Sequence, residues 1–439
     1  MSPIQTTKQF FNVGLRLSTL VAKLGLTLYM GRYLSLADIG NYGLVFGAVM
    51  ILSVGLGFRF DYIVSRDLVG VEPAAALSKM RDQAVFYLLN HLGFALVMMV
   101  LVAAGGTGAE GKVLFYIFAL SVAENLANMA NANMISLGHP LLATMLFFVR
   151  AGLWALPVVA MGLIFPVFRN GDTILIGWLL GSVASLIMTL WLWRHMPWRA
   201  VLRTPVDWPW VGQGVRKSCL IWLGTLGAVG GIYVDRFIVM RYLGIDSVGI
   251  ATFYFSFANA LLALIQSGVL AFVYPRLITL HRTDDRAGFM REAKQAAWHV
   301  ALFGGGIALI MGVGVPLLGR FFHRPELVAE SLTLWLMLLG VWVRSNAETL
   351  YTVLFARHRD RPIWLGNLLF LIPAFGCNAL FVPIFGLSGI GYGGIVAGLF
   401  LFSWYGWHVS RPAARENHFV GTAEETLESF QASEDGKGF

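Results

Sequence analysis

Apolar runs of about twenty residues recur along almost the whole of this 439-residue chain. That is the length an α-helix needs to cross the roughly 30 Å hydrocarbon core of a bilayer. A soluble core has no need for such regular spacing. Composition agrees, with 57% hydrophobic and only 13% charged residues, against about 25% charged in ordinary globular domains. The runs predict twelve spans, at 11–31, 40–64, 84–104, 113–136, 141–164, 173–193, 218–240, 248–275, 295–318, 329–356, 363–382 and 389–408. The expected fold is therefore all-α and polytopic, with about twelve transmembrane helices. The first span is not read as a cleavable signal peptide, because two charges interrupt it and no small-residue cleavage site follows. The two cysteines, Cys219 and Cys377, sit at or within spans and suggest neither a disulfide framework nor a metal site. No metal or cofactor is expected.

Basic residues set the expected orientation. With a cytoplasmic N-terminus, the inner segments (1–10, 65–83, 137–140, 194–217, 276–294, 357–362, 409–439) hold 20 of the 32 Lys and Arg. The outer segments hold 6 and the spans the other 6. The positive-inside rule then places both termini in the cytoplasm. The net charge of +8 follows largely from this asymmetry and argues for no nucleic-acid partner. The inner loops 194–217 and 276–294 are basic enough to lie on anionic lipid heads. Every outer loop is short, which leaves no room for an extracytoplasmic catalytic domain.

The two halves share a sequence signal. GRYLSLADIG at 31–40 and MRYLGIDSVG at 240–249 align without gaps, and Arg32/Arg241, Tyr33/Tyr242, Leu34/Leu243 and Gly40/Gly249 are identical. The offset is 249 − 40 = 209 residues, and each copy follows an odd-numbered span. Such placement indicates a parallel repeat, a common plan in transporters with the substrate site between the halves. The expected organisation is an N-terminal six-helix lobe (1–194), a Trp- and Pro-rich interfacial linker (195–217), a C-terminal six-helix lobe (218–408) and a polar, acidic tail (409–439).

Charges inside the spans are the candidate functional residues: Arg16, Lys23, Arg59, Arg150, Arg236 and Arg344, with Asp61, Glu124, Asp235 and Glu348. A charge at mid-membrane costs at least ~2.5–3.5 kcal/mol on insertion scales, so such residues face a cavity or a partner. Arg344 and Glu348 stand one helical turn apart and can neutralise each other. Asp235 and Arg236, like Arg59 and Asp61, lie near span ends where long side chains snorkel to the interface. Arg150 has no acidic neighbour on its own span. Glu124 leads a polar stripe with Ser121, Asn128 and Asn131, a pattern that also serves simply to hold membrane helices together.

Arg16 and Lys23 fit the structural readings least well. They lie seven residues apart, within about 20° on a helix, and share a face with Asn12, Thr19 and Thr27. Lys23 falls near the middle of its span, roughly 10 Å from either end and beyond comfortable lysine reach. A carboxylate of another helix, such as Glu124, can neutralise one of the two. Otherwise the stripe lines a water-filled cationic cavity that favours anionic substrates.

These residues resemble the polysaccharide transporter branch of the multidrug/oligosaccharidyl-lipid/polysaccharide exporter superfamily, which includes the Wzx-type lipid-linked oligosaccharide flippases. The similarity rests on GRYLSLADIGNYGLVFGAV and LSVGLGFRFDYIVSRDL in the first half, and on VDRFIVMRYLGIDSVGIATFYFSFANAL in the second. It implies a MATE-like, V-shaped pair of six-helix lobes, alternating access, and outward carriage of an undecaprenyl-diphosphate-linked glycan across a bacterial inner membrane. The glycan would serve O-antigen, exopolysaccharide or capsule synthesis, with polysaccharide polymerase and chain-length proteins as partners. Arg16, Lys23 and Arg59 are the positions onto which its diphosphate contacts carry most directly. One departure is that Arg16 and Lys23 correspond at the 209 offset to Thr225 and Ile232, so the positive surface belongs mostly to the first lobe.

Three other classes compete. A multidrug or organic-cation antiporter of the same fold would want unopposed acidic residues. A membrane glycan polymerase or ligase would be an enzyme and would need a substantial outer loop. A non-transporting scaffold has no use for cations along a span. No GxxxxGK[ST] phosphate loop is present, which disfavours ATP hydrolysis by this chain. The expectation is a transporter and not an enzyme.

Overall fold

The computed structural model describes residues 3–103 and 111–411, apart from the side chains of residues 3–10 and 101. Among the described residues the chain is helical, with no strand. Among the described residues ten helices are long and apolar enough to cross a membrane. Two more, Ser331–Ala356 and Ser388–Ser410, have the length at 26 and 23 residues. Arg344, Asn346 and Glu348 dilute the hydropathy of the first, and Gly, Trp and Tyr that of the second. The twelve in order are α1 (Pro3–Tyr33), α2 (Leu36–Gly57), α3 (Pro73–Ala103), α4 (Gly111–Ser136), α5 (Pro140–Ile164) and α6 (Gly171–Leu192). The second set is α7 (Trp208–Leu243), α8 (Ile245–Arg282), α9 (Arg286–Phe321), α10 (Ser331–Ala356), α11 (Asp360–Phe385) and α12 (Ser388–Ser410).

Polar residues of the connections start several of these helices. Ser35, Asn170, Asp207 and Asp285 each accept a hydrogen bond from the backbone N–H three residues on, satisfying donors that the first helical turn leaves free. The second expected span is corrected. It ends at Gly57 and not at 64, because Phe58 and Arg59 both take left-handed backbone angles, with φ of 51°. A separate short helix, Phe60–Asp67, follows. The seventh helix begins at Trp208, so the last ten residues of the expected linker are helical. Arg81 holds the rest by donating to the carbonyls of Val201, Thr204 and Pro205. Residues 412–439 of the expected tail lie outside the described residues.

Helices α1–α6 pack on one another, as do α7–α12, giving two six-helix lobes. Each lobe has its own buried core. Leu26, Tyr29, Trp154 and Trp178 belong to the first, and Phe253, Tyr254, Leu334 and Leu338 to the second. The lobes meet where α2 crosses α8, with α7 also against α2 and α1 against α8.

That crossing brings the two repeat copies together. A Cβ on Gly40 would collide with the Ile245 carbonyl, and one on Gly249 with the Leu36 carbonyl. Under the 209-residue offset, Gly40 corresponds to Gly249 and Leu36 to Ile245 (36 + 209 = 245). The two contacts are therefore one contact made twice. Gly43 packs against Thr252, its own equivalent (43 + 209 = 252). A pseudo-two-fold axis passes between those residues.

With twelve helices in succession, the start of α1 and the end of α12 fall at one end of the bundle, called here the terminal end. At the opposite, far end, arginines cross the seam reciprocally. Arg324 of the second lobe donates to the Leu34 carbonyl of the first at 2.6 Å, and Arg32 of the first to the Phe321 carbonyl of the second at 3.4 Å.

Candidate functional site

Along the polar stripe of α1 the structure separates two kinds of residue. Thr19 and Thr27 are buried, and their hydroxyls donate one turn back to the carbonyls of Leu15 and Lys23. Thr19 packs against Gly152, inside a π-helical turn of α5 at Val149–Leu153. Arg16 and Lys23 stand exposed on either side of this contact, and Asn12 is half-buried. Lys23 is near the middle of the apolar stretch of α1, Phe11–Tyr33, and its side chain is exposed. Its ammonium lies 5.9 Å from the centre of the Phe147 ring, a favourable cation–π placement.

The π turn carries Arg150 to the wall behind Lys23. Its guanidinium meets Glu124 of α4 at 3.4 Å, with each side chain 7% exposed, and donates to Asn128 Oδ1 at 2.7 Å. It also lies over Phe147 at 5.4 Å. Glu124 accepts from Trp178 Nε1 and Ser182 Oγ of α6, both at 2.8 Å. Burying a carboxylate is costly without such a set of donors and a counter-charge. Glu124 thus ties α4, α5 and α6 together. Asn128 is exposed and continues the polar wall, while Ser121 is buried and Asn131 donates to the Ala143 carbonyl.

The remaining predicted residues also form pairs. Asp235 and Arg236 meet at 2.9 Å where α7 is interrupted near Val234. Arg236 is 1% exposed, with its guanidinium 4.1 Å from the Phe255 ring centre and its stem against Gly47 of α2. Arg59 and Asp61 meet at 3.4 Å just beyond α2. There the Phe58 carbonyl accepts from Ser218 of α7, and the Phe58 ring stacks on Trp222 at 4.6 Å. Arg344 and Glu348 meet at 3.8 Å beside a cavity of about 200 Å³ in the second lobe, which Tyr351, Asn367 and Tyr405 help to line.

The span charges therefore sort by partner. All four carboxylates (Asp61, Glu124, Asp235, Glu348) are paired with an arginine (Arg59, Arg150, Arg236, Arg344). Among the described residues Arg16 and Lys23 have no carboxylate within ion-pair distance, and both are exposed. Two cations on one exposed helix face within a span can attract an anion and repel a cation. Sequence reasoning missed Phe147 and Trp178, which look like ordinary core aromatics until the fold sets them against charged groups.

No family model matches the chain, and no curated protein matches its sequence. Solved structures do. An inward-facing multidrug resistance MATE family transporter of the MOP superfamily superposes with a TM-score of 0.65 at 14% identity, over 91% of this chain and 98% of that one. The lipid II flippase MurJ, in an inward closed conformation, gives a TM-score of 0.65 at 12% identity, over 100% and 94%. A MOP-superfamily transporter of Pyrococcus furiosus, described as having a binding pocket of reverse polarity, gives 0.53 at 12% identity, over 92% and 96%. Over nearly its whole length, then, the chain has the fold of the MOP-superfamily transporters.

Proposed function

We propose that the chain is a flippase for an anionic undecaprenyl-diphosphate-linked oligosaccharide, moving it from the cytoplasmic to the outer leaflet of a bacterial inner membrane by alternating access. One observation carries this reading: the four carboxylates singled out from the sequence, Asp61, Glu124, Asp235 and Glu348, are each paired with an arginine, while Arg16 and Lys23 share an exposed face of α1 with no carboxylate within ion-pair distance. A diphosphate supplies the missing charge, and charge-assisted bonds to it are among the strong ones. The same balance disfavours an organic-cation antiporter, which needs a carboxylate free to receive its substrate. Polysaccharide polymerase and chain-length proteins would act on the exported glycan.

Lipid analysis of a deletion strain tests the activity and names the substrate. The expected result is one undecaprenyl-diphosphate glycan accumulating on the cytoplasmic side; unimpaired export, with loss of resistance to a cationic dye, overturns it. Orientation is tested separately by impermeant thiol labelling of intact cells. A single cysteine at position 243 should react and one at position 205 should not.

A further inference from the structure

A groove of about 330 Å³ runs between the terminal-end parts of α8 and α9, away from the cations of α1. It falls in the size range of small-molecule sites. Its walls change character with depth. Toward the terminal end they carry Arg276, Glu292 and Gln295, with His299 farther in, and the apolar wall is made by Phe272, Leu302 and Phe303. Those three apolar side chains are 62%, 56% and 45% exposed. Arg276 lies eight residues from Gly268, where a π-helical turn (Gln266–Leu270) widens α8. Eight residues of helix span about 12 Å along the helix axis. The groove thus matches an amphiphile with its head at the interface and a chain reaching inward.

The head should be anionic. Arg276 meets Glu292 at 3.4 Å, but its side chain is 69% exposed, and an ion pair so open to solvent is held lightly. A guanidinium offers five N–H donors, and this contact uses one. The segment 276–294 that begins at this mouth has five basic and three acidic residues, 5 − 3 = +2. We infer that the groove binds one anionic glycerophospholipid, its phosphate on Arg276 and an acyl chain along Phe272, Leu302 and Phe303.

The test is native mass spectrometry of the full chain exchanged with phosphatidylglycerol, phosphatidylcholine or undecaprenyl phosphate. Phosphatidylglycerol should be retained over phosphatidylcholine by roughly fivefold, the preference one arginine gives at an anionic surface. Arg276→Ala should erase that preference while leaving the protein folded, since the side chain is exposed. Gly268→Leu, which fills the groove, should reduce retention of both phospholipids. Equal retention of the two by the native chain, or a preference that survives Arg276→Ala, overturns the inference. Stronger retention of undecaprenyl phosphate at the same arginine overturns the choice of ligand. Because binding is read without transport, the outcome is independent of the function proposed above.

Discussion

Arg150 and Lys23 both lie over the Phe147 ring, yet their substitution should have opposite effects. Arg150 is buried against Glu124, and stranding one member of a buried pair costs about 3–5 kcal/mol. Glu124→Ala should therefore lower the thermal midpoint and the amount of folded protein, and Glu124→Ala/Arg150→Ala should recover part of the loss; a double variant as unstable as the single would show that the pair is not the cause. Lys23 has no carboxylate to strand. Lys23→Ala should leave the melting temperature unchanged and weaken binding of a diphosphate-bearing substrate by roughly ten- to hundredfold, the equivalent of a ~1.5–3 kcal/mol charge-assisted bond. Lys23→Arg should retain most of the affinity. Unaltered substrate binding in Arg16→Ala/Lys23→Ala would remove the cationic cavity from the mechanism. From the sequence, only Arg344–Glu348 was legible as a pair within one helix, because its four-residue spacing is helical. Arg150 and Glu124 are 26 residues apart on different helices, and only packing determines that they meet.

The twelve helices could be read from hydrophobic runs because a bilayer imposes a minimum apolar length on each of them. Their ends were less legible, since ends depend on backbone angles and neighbours. Phe58 and Arg59 adopt left-handed angles that non-glycine residues rarely take, and Ser218 and Trp222 of α7 contact the chain there. Nothing in the local stretch LGFRFDY announces such a partner 160 residues away. The α2–α8 crossing makes a sharper prediction. Gly40→Val or Gly249→Val puts a side chain into a carbonyl of the opposite helix, and overpacking of this kind costs about 1–3 kcal/mol. A Cβ at Gly55 of the same helix would lie 3.9 Å from its nearest neighbour, Leu226. Gly55→Ala should therefore be tolerated while the two valine variants lose thermal stability, as measured by fluorescence-detected melting; equal loss at all three would deny the crossing its special role.

At the scale of the whole molecule, the far end is held by arginine bonds to carbonyls that run both ways across the seam. Neither bond uses a carboxylate, so each can be given up without leaving a buried acid behind. Removing one such bond, ~1.5–3 kcal/mol for a charged donor, should shift the balance between closed and open far ends about tenfold or more. Spin labels at Val167 and Ile384, exposed at the far end of opposite lobes, report this separation. Arg32→Ala/Arg324→Ala should lengthen the measured distance distribution, and an unchanged distribution would show that the seam closes without the arginines.

The pair of glycine contacts at α2 and α8 has one more consequence. A contact in which Gly40 meets Ile245 while Gly249 meets Leu36 is isologous, the form taken when two identical chains dimerise about a two-fold axis. Two half-length copies could have built this interface before any linker joined them. Such a dimer, however, must place any cation on both copies. Arg16 and Lys23 stand in one lobe only, opposite Thr225 and Ile232. A one-sided positive face requires two halves that differ in sequence, as the two halves of this single chain do.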